Sequence, residues 1–239
     1  MKIILVLPVH DEEAYVSHAI NKLEAVTRGR PHDFVLVLAE DGSEDRTYQV
    51  AIKTAEEYEN VKVLHYPVRL GRGKAVRRAF SLWEGDIYIF MDADLAVDLR
   101  HLETLIDMVD NGYDMVTGSR YVRQSVTKRP LLRKTVSLAY NLIVRGIFRT
   151  GIHDHQCGFK AINKRFRNFL INYSHSNHWF WDTEMFILAK RNGFRVAEFP
   201  VTWLEKRSKR TPIRRLIRDI ILHSEGIIYH SVHKNKLKA

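Results

Sequence analysis

Four short apolar runs alternate with segments of helical periodicity, and this alternation constrains the fold more than any other feature of the chain. The runs cover residues 3–7, 34–39, 61–65 and 87–91. Runs of this kind, in which apolar or β-branched residues predominate, are typical of strands that are buried on both faces. Apolar residues recur at helical spacing over residues 12–27, 45–58 and 74–84. The pattern predicts an α/β fold with a doubly wound, mostly parallel sheet.

Length and composition favour one compact body with an appendage. The chain has 239 residues, of which 45% are hydrophobic and 28% charged, and neither an internal repeat nor a flexible linker interrupts it. We expect one domain over residues 1–210 and a basic amphipathic helix with a tail over residues 211–239. The single cysteine, Cys157, excludes an internal disulfide, and no signal-peptide pattern opens the sequence, so we expect a cytoplasmic location.

Charge is distributed unevenly along the chain. Residues 1–115 carry 13 Lys and Arg against 21 Asp and Glu, whereas residues 116–239 carry 25 against 7. The basic half is expected to face an anionic partner such as nucleic acid, phospholipid or a phosphorylated substrate. No apolar run approaches the roughly 18 residues that a membrane-spanning helix needs, so any contact with a bilayer is expected to be peripheral.

Acidic clusters follow three of the predicted strands. They lie at residues 11–13, 40–45 and 92–98. In open α/β sheets, ligands bind beyond the carboxyl ends of the strands, so these clusters are expected to converge. Asp11 or Asp45 alone is equally well explained as a helix cap, and Gly42 as a turn residue. Asp92 and Asp94 are alternate residues that point the same way, and such paired carboxylates predict a Mg²⁺ or Mn²⁺ site for a nucleotide diphosphate.

These motifs, in this order, resemble the family 2 glycosyltransferases of nucleotide-diphospho-sugar transferase (GT-A) fold. The N-terminal motifs are Pro8, Asp11, Glu12, Glu40 to Ser43, Asp45, Thr47, Gly71, Gly73, Lys74 and Asp92 to Asp94. The later motifs resemble the subfamily that transfers glucose or mannose to dolichyl or polyprenyl phosphate. They are Gly118 to Arg120, Asp154, Gln156 to Lys160, Trp181 to Glu184, Trp203, Glu205, Ser208 and Lys209.

The resemblance implies a site with three parts. The nucleotide-sugar would be bound by Pro8, His10, Glu12, Glu40, Asp41, Lys74, Asp92, Arg207 and Lys209. The metal would be held by Asp92 and Asp94, and the acceptor phosphate by Arg120, Arg133 and Ser137. The residues expected to be catalytic are Asp94, Asp182 and Arg120. Asp182 stands where related enzymes keep a base, but it is also interpreted as orienting sugar hydroxyls or cationic side chains, or as a helix cap.

Three residues depart from the family pattern, and the first departure bears on the sugar. Ala96 stands where mannosyl members commonly carry a glutamine ligand, Arg207 where the family usually has glycine, and Glu40 where aspartate is usual. The first departure favours a glucosyl enzyme that uses UDP-glucose, and the alternative is a mannosyl enzyme that uses GDP-mannose. A phosphate acceptor is largely ionised at neutral pH, so the reaction requires stabilisation of the leaving group more than a strong base.

Two basic amphipathic stretches suggest a membrane surface as a partner. One apolar face combines Leu132, Val136, Ala139, Ile143 and Ile147, and a second combines Ile213, Leu216, Ile217, Ile220, Ile221 and Ile228. Helices of this type lie on anionic lipid or pack into an ordinary core, and the sequence leaves both open. We expect a peripheral protein on the cytoplasmic face of a membrane, with a separate tethering protein as a further option.

Other classes of function explain fewer features of the sequence. A nucleic-acid-binding protein would explain the basic half but not the three acidic clusters, so we expect no nucleic-acid partner. A sugar nucleotidyltransferase should have a basic glycine-rich loop after the first strand, where residues 8–13 are acidic instead. A non-catalytic protein that binds anionic membranes stays as the alternative outside the enzymes.

Overall fold

The computed structural model describes residues 1–205 and 213–233, and within residues 213–219 it describes the backbone alone. The sequence-based expectations for Arg207 and Lys209 lie outside the described residues. So do those for the side chains of Ile213, Leu216 and Ile217.

Strands and helices alternate through most of the chain. The strands are β1 (Lys2–Val9), β2 (Asp33–Asp41), β3 (Val61–Tyr66), β4 (Ile87–Met91), β5 (Met115–Ser119), β6 (Val126–Lys128), β7 (Phe159–Asn163), β8 (Val196–Pro200) and β9 (Thr202–Leu204). The helices are α1 (Glu13–Thr27), α2 (Thr47–Ala55), α3 (Arg72–Leu82), α4 (His101–Asp110), α5 (Leu131–Phe148), α6 (Lys164–Tyr173), α7 (Trp181–Arg191) and α8 (Ile213–Val232).

Seven strands form one sheet in the order β3-β2-β1-β4-β7-β5-β8. Only β7 runs antiparallel to its neighbours among these strands, so the sheet is mostly parallel as predicted. The carboxyl ends of β1, β2 and β4 therefore lie side by side at one edge. Strands β6 and β9 form a separate parallel pair, which we call the β6/β9 ribbon.

The sheet is covered by helices on both faces, which explains the unbroken apolar strands. Ile3, Leu5 and Leu7 pack with α1 and α4 on one face, while Ile4 and Val6 pack with α3, α6 and α7 on the other. Residues 3–7 of β1 are all fully buried. Each such large apolar side chain contributes roughly 1.5–3 kcal/mol when it is buried. The four predicted strands and the three predicted helices form, with shifts of a few residues at their ends. The predicted burial of the run at residues 61–65 is wrong, because β3 is the edge strand of the sheet and its Lys62 and His65 are exposed.

Helix α5 turns its polar side inwards. Its buried residues are Ser137, Asn141 and Val144. Its large exposed apolar side chains are Leu131, Leu132, Val136, Leu138, Leu142, Ile143 and Ile147. The predicted apolar face of this helix therefore exists and is exposed, and the alternative that it packs into the core is wrong. On α8, Ile220, Ile221 and Ile228 are exposed as well.

No helix in the described part of the chain is both long and apolar enough to cross a membrane.

Candidate active site

The loops that follow β1 and β2 interlock at the carboxyl edge of the sheet. The backbone N–H of Asp11 donates to Ser43 Oγ (3.1 Å), and the N–H of Glu44 donates to Asp11 Oδ1 (2.9 Å). The N–H of Glu12 donates to Thr47 Oγ1 (2.7 Å). The predicted convergence of the first two acidic clusters is therefore confirmed.

Asp45 connects the starts of α1 and α2. Its carboxylate accepts the N–H of Thr47 (2.8 Å) and the N–H of Glu13 (3.3 Å). Partial burial alone would raise the pKa of Asp45, but the hydrogen bonds from Thr47 and Glu13 outweigh it and lower the pKa. Asp45 thus binds the first N–H group of each helix, although the N-cap residues of α1 and α2 are Glu12 and Arg46.

Glu40 and Asp41, which are predicted to bind the nucleotide, hold neighbouring segments together at the end of β2. Glu40 is buried, and its carboxylate accepts the N–H of Ser43 (2.6 Å) and lies 2.5 Å from His65 Nδ1. Asp41 is also buried and accepts the N–H groups of Leu70 (2.6 Å) and Gly71 (2.8 Å). Asp41 thereby holds the loop before α3 against the end of β2, and Glu40 connects the turn after β2 to His65 of β3.

The remaining residues predicted for the nucleotide pocket lie around the same edge. Pro8 and His10 are half-buried at the end of β1, and the His10 ring Nδ1 lies 2.9 Å from the carbonyl oxygen of Asp41. Glu12 is half-buried immediately before α1. Lys74 is exposed in the first turn of α3. Among the predicted nucleotide-binding residues that the structure describes, Lys74 contributes the positive charge beside the carboxylates of Glu12, Glu40 and Asp41.

Asp92 and Asp94 lie on one tight turn after β4. The N–H of Leu95 donates to the carbonyl of Asp92 (3.1 Å), and Leu95 takes a positive φ of 47° to close the turn. The Asp94 carboxylate accepts the N–H of Ala96 (3.2 Å). Gly158 lies against the Asp92 carboxylate, where any Cβ atom would collide with it. The absence of a side chain at residue 158 is therefore what makes room for Asp92.

The two carboxylates fit a metal that substrate phosphates help to hold. Across the described residues, no group of three or more His, Cys, Asp or Glu side chains is placed to bind a metal ion. Mg²⁺ is commonly held in proteins by one or two carboxylates, with substrate phosphates and water as the other ligands. The donor set of Asp92 and Asp94 matches that requirement.

Four charged side chains form a largely buried network next to the Asp92–Asp94 turn. Arg72 donates through Nη2 to Asp92 (2.8 Å) and through Nη1 to Asp182. Lys160, which is fully buried, donates to the other oxygen of Asp182 (2.7 Å) and to the carbonyl of Cys157. We call Arg72, Asp92, Lys160 and Asp182 the charge network.

The charge network explains the position of Asp182. Burial alone would lower the pKa of Arg72, but the carboxylates of Asp182 and Asp92 outweigh it and raise the pKa. Both oxygens of Asp182 contact cations, one from Arg72 and one from Lys160. Asp182 lies in the first turn of α7 and makes no cap, because the N-cap residue is Phe180. The geometry fits the interpretation that Asp182 orients cationic side chains.

Arg120 is buried in an ion pair that the sequence reasoning did not assign. Its Nε lies 2.7 Å from Asp154 Oδ2 and its Nη2 lies 2.8 Å from Asp154 Oδ1. Its guanidinium also stacks over the Trp203 ring at 5.1 Å. Burial alone would lower the pKa of Arg120, and the Asp154 carboxylate more than compensates and raises it. The contacts with Asp154 and Trp203 hold the Arg120 side chain between the end of β5 and the β6/β9 ribbon.

The β6/β9 ribbon lies directly beside the Asp92–Asp94 turn. The N–H of Leu204 donates to the carbonyl of Ala96 (2.8 Å), and the N–H of Asp98 donates to the carbonyl of Thr202 (3.0 Å). Lys128 pairs with Leu204 in the ribbon register. The residues that follow these two positions, Arg129 and Glu205, are thereby brought together.

A cluster of two arginines, a serine and a glutamate extends from the ribbon into α5. Arg129 Nε and Arg133 Nη1 lie 3.0 Å and 2.8 Å from the two oxygens of Glu205. Arg129 Nη1 also donates to Ser137 Oγ (3.1 Å). We call Arg129, Arg133, Ser137 and Glu205 the arginine cluster. It contains two of the three residues predicted to bind the acceptor phosphate, whereas Arg120 lies with Asp154.

Sequence reasoning missed Arg72 and Arg129 as candidate site residues. Arg72 lies between Gly71 and Gly73, two glycines of the family motif, and its charge was the available signal. Arg129 immediately precedes Pro130 and the amphipathic helix, four residues from Arg133, and no spacing rule separated it from the other basic residues.

The chain matches the family model described as Glycosyl transferase family 2 over residues 4–170. Among curated proteins, glycosyltransferase AglD of Haloferax volcanii is 42% identical over 224 residues, which cover 92% of this chain and 35% of that protein. The dolichyl-phosphate beta-glucosyltransferase of Saccharomyces cerevisiae is 31% identical, over 71% of this chain and 57% of its own length. The chain thus spans about a third of the Haloferax relative and somewhat more than half of the yeast one.

Solved structures show the same fold. Glucosyl-3-phosphoglycerate synthase from Mycobacterium tuberculosis, in complex with Mn²⁺, UDP and glucosyl-3-phosphoglycerate, superposes with a TM-score of 0.73 at 17% identity. The match covers 96% of this chain and 80% of that one. The expected GT-A fold is therefore confirmed. Since the family model covers well over half of the residues, this chain belongs to glycosyl transferase family 2.

Proposed function

We propose that the chain transfers glucose from UDP-glucose to dolichyl or polyprenyl phosphate, with inversion, and forms a lipid-phosphate-linked sugar. The observation that carries this proposal is the contact between the β6/β9 ribbon and the Asp92–Asp94 turn. This contact, made through Ala96 and Asp98, supports a site in which a pair of arginines suited to a phosphate acceptor works together with carboxylates suited to a metal-bound diphosphate. The names of the yeast relative and of a Trichomonas vaginalis relative, dolichyl-phosphate beta-glucosyltransferases, favour glucose over mannose.

Mg²⁺ or Mn²⁺ would be held by Asp92 and Asp94 together with the donor diphosphate. When bound, the ion would neutralise the charge that develops on the departing nucleoside diphosphate. The structural neighbour that contains Mn²⁺ and UDP supports this assignment. Pro8, His10, Glu12 and the loop held by Glu40 and Asp41 would surround the nucleotide.

The protein's own residues position the reactants. Arg72 fixes the Asp92 and Asp182 carboxylates relative to each other, so the metal-binding turn and the start of α7 keep one geometry. Arg133 and Ser137 would bind the acceptor phosphate, and Arg120 would support that site through its ion pair with Asp154. A phosphate monoester with a second pKa of about 6 is already ionised at neutral pH, and this acceptor needs no protein base.

The exposed apolar face of α5 would rest on the membrane that contains the acceptor. Lys134 on the same helix and Arg149 at its C-cap are exposed and would meet anionic headgroups. We place this surface at the cytoplasmic face of the membrane, on the ground that the lone cysteine leaves the fold without a disulfide. A separate tethering protein is not needed for this arrangement.

We also propose the division into a catalytic domain over residues 1–210 and a C-terminal appendage over residues 211–239. The described part of the appendage is α8, which docks on α7. His230 Nε2 lies 3.1 Å from the buried Glu184 carboxylate, and Arg191 donates to the carbonyl of His230. This contact anchors the appendage to the domain.

The test is a donor panel. The purified chain is incubated with Mn²⁺, citronellyl phosphate and one of UDP-glucose, GDP-mannose or UDP-N-acetylglucosamine, and the sugar-linked lipid is measured by mass spectrometry. UDP-glucose is expected to be the preferred donor, and Arg133→Ala is expected to raise the KM for the lipid phosphate with little change in the KM for the donor. Preferred use of GDP-mannose would replace the glucosyl assignment, and the absence of lipid product with every donor would refute the proposed function.

A further inference from the structure

Glu205 occupies the centre of the arginine cluster in the way that an anionic ligand would. Its two carboxylate oxygens are shared between Arg129 and Arg133, at 3.0 Å and 2.8 Å. The Glu205 side chain is 15% exposed, so this contact is largely removed from water. Arginine guanidinium groups offer the same donors to phosphate oxygens as to carboxylate oxygens.

We infer that Glu205 holds the place of the acceptor phosphate, and that Arg129 binds this phosphate together with Arg133 once Glu205 withdraws. The inference rests on the proposed function, since it concerns the acceptor of that reaction. It assigns a new phosphate-binding residue, Arg129, and a residue that competes with the acceptor, Glu205.

Charge favours the exchange. Two guanidinium groups share one carboxylate, so the trio of Arg129, Arg133 and Glu205 carries a formal charge of about +1. A phosphate monoester carries a charge of about −1.5 to −2 at neutral pH and balances the two arginines more completely. The phosphate therefore has an electrostatic advantage over the carboxylate that it replaces.

Arg129 keeps its position when Glu205 leaves. Its Nη1 donates to Ser137 Oγ (3.1 Å) and to the Tyr121 hydroxyl (3.0 Å), and neither acceptor belongs to Glu205. The guanidinium is thereby preorganised for a second anion. Ser137 connects this support to the predicted acceptor site.

The exchange also gives selectivity between acceptors. An acceptor that ends in a hydroxyl brings no charge and leaves the Glu205 carboxylate in place. A phosphorylated acceptor displaces it, because the arginines gain charge compensation. Glu205 therefore lowers the affinity for all acceptors and rejects neutral ones most strongly.

The first experiment compares Glu205→Gln with the unaltered chain. Acceptor KM and kcat are measured with citronellyl phosphate at saturating UDP-glucose and Mn²⁺. We expect the acceptor KM to fall by about tenfold, because one competing charged contact is lost, while the donor KM stays the same. Glu103→Gln is the matched control. It removes the charge of Glu103 on α4, which pairs with Arg30 in the loop after α1, and should leave the acceptor KM unchanged. An unchanged or raised acceptor KM in Glu205→Gln would overturn the inference.

The second experiment measures phosphate binding without turnover. Inorganic phosphate is expected to raise the Tm of the unaltered chain, to raise it more in Glu205→Gln, and to have no effect in Arg129→Gln. Equal shifts in all three proteins would also overturn the inference. If the phosphate shifts follow this order but the unaltered chain transfers no sugar to lipid phosphate, the proposed function fails while the anion site stands.

Discussion

Replacing Asp182 with asparagine distinguishes two roles for this residue, that of a catalytic base and that of a partner that holds buried cations in place. Both oxygens of Asp182 contact buried cations, Arg72 and Lys160, and the Lys160 side chain is fully buried. Asp182→Asn removes one negative charge from the charge network, and Lys160 loses its ionic partner. Breaking a buried ion pair from one side costs about 3–5 kcal/mol. For a chain of this size, about 3 kcal/mol corresponds to a fall of roughly 6–12 °C in Tm.

A second substitution should recover much of this loss. Lys160 Nζ lies 5.3 Å and 5.6 Å from the centres of the Phe90 and Phe186 rings, so methionine at residue 160 would meet apolar neighbours. We expect the pair Asp182→Asn with Lys160→Met to be at least about 2 kcal/mol more stable than Asp182→Asn alone. Thermal unfolding is measured for the unaltered chain, Asp182→Asn, Lys160→Met and the double variant at one pH and protein concentration. The four values give the coupling free energy between the two residues directly.

Kinetics of the same variants completes the test. If Asp182 holds cations, Asp182→Asn lowers kcat and Tm together and leaves the shape of the pH profile of kcat/KM unchanged. A variant with an unaltered Tm, a very low kcat and a pH profile that has lost its acidic limb would show that Asp182 works as a base. That result would refute the interpretation of the charge network.

Three further outcomes are expected. Asp94→Ala should abolish both transfer and the Mn²⁺ dependence of UDP binding by calorimetry, and metal-dependent binding in this variant would contradict the metal assignment. Leu142→Glu should abolish co-sedimentation with anionic vesicles and leave transfer to a short soluble acceptor intact, and undiminished sedimentation would exclude α5 as the docking face. Burial lowers the pKa of His155 from 6.5 to about 3, so the fold keeps this ring neutral while the unfolded chain protonates it, and stability should fall as pH drops below about 6.5. His155→Gln should flatten this fall in Tm between pH 7 and pH 4, and an identical pH dependence in the variant would count against it.

Local sequence carried enough information for the first half of the fold. Strands β1, β2 and β4 are largely buried, and the apolar runs that this requires are visible without any structure. Asp92 and Asp94 could be assigned because they follow such a run directly. The reversed direction of β7 could not be predicted, because it depends on pairing with β4 and β5 on either side.

Most of the side-chain contacts in the site that the sequence did not predict join residues that are far apart in the chain. Arg133 and Glu205 are 72 positions apart, and Arg120 and Asp154 are 34 apart. Nothing in the local pattern around these residues indicates their pairing.

Helix α5 shows a different limit, because helical periodicity reveals an apolar face but not its direction. Asn141 Oδ1 accepts from the backbone N–H and the ring Nδ1 of the buried His155, and these bonds turn the polar face inwards.

The most direct test of the central claim concerns the acceptor. The chain is given labelled UDP-glucose and Mn²⁺ with one of three acceptors, namely polyprenyl phosphate in vesicles, polyprenol in the same vesicles, or 3-phosphoglycerate in solution. We predict label in the lipid fraction with polyprenyl phosphate and with neither of the others, and we predict that Asp94→Ala gives none. Label on 3-phosphoglycerate, or equal label on polyprenol, would contradict the assignment of a lipid phosphate as the acceptor.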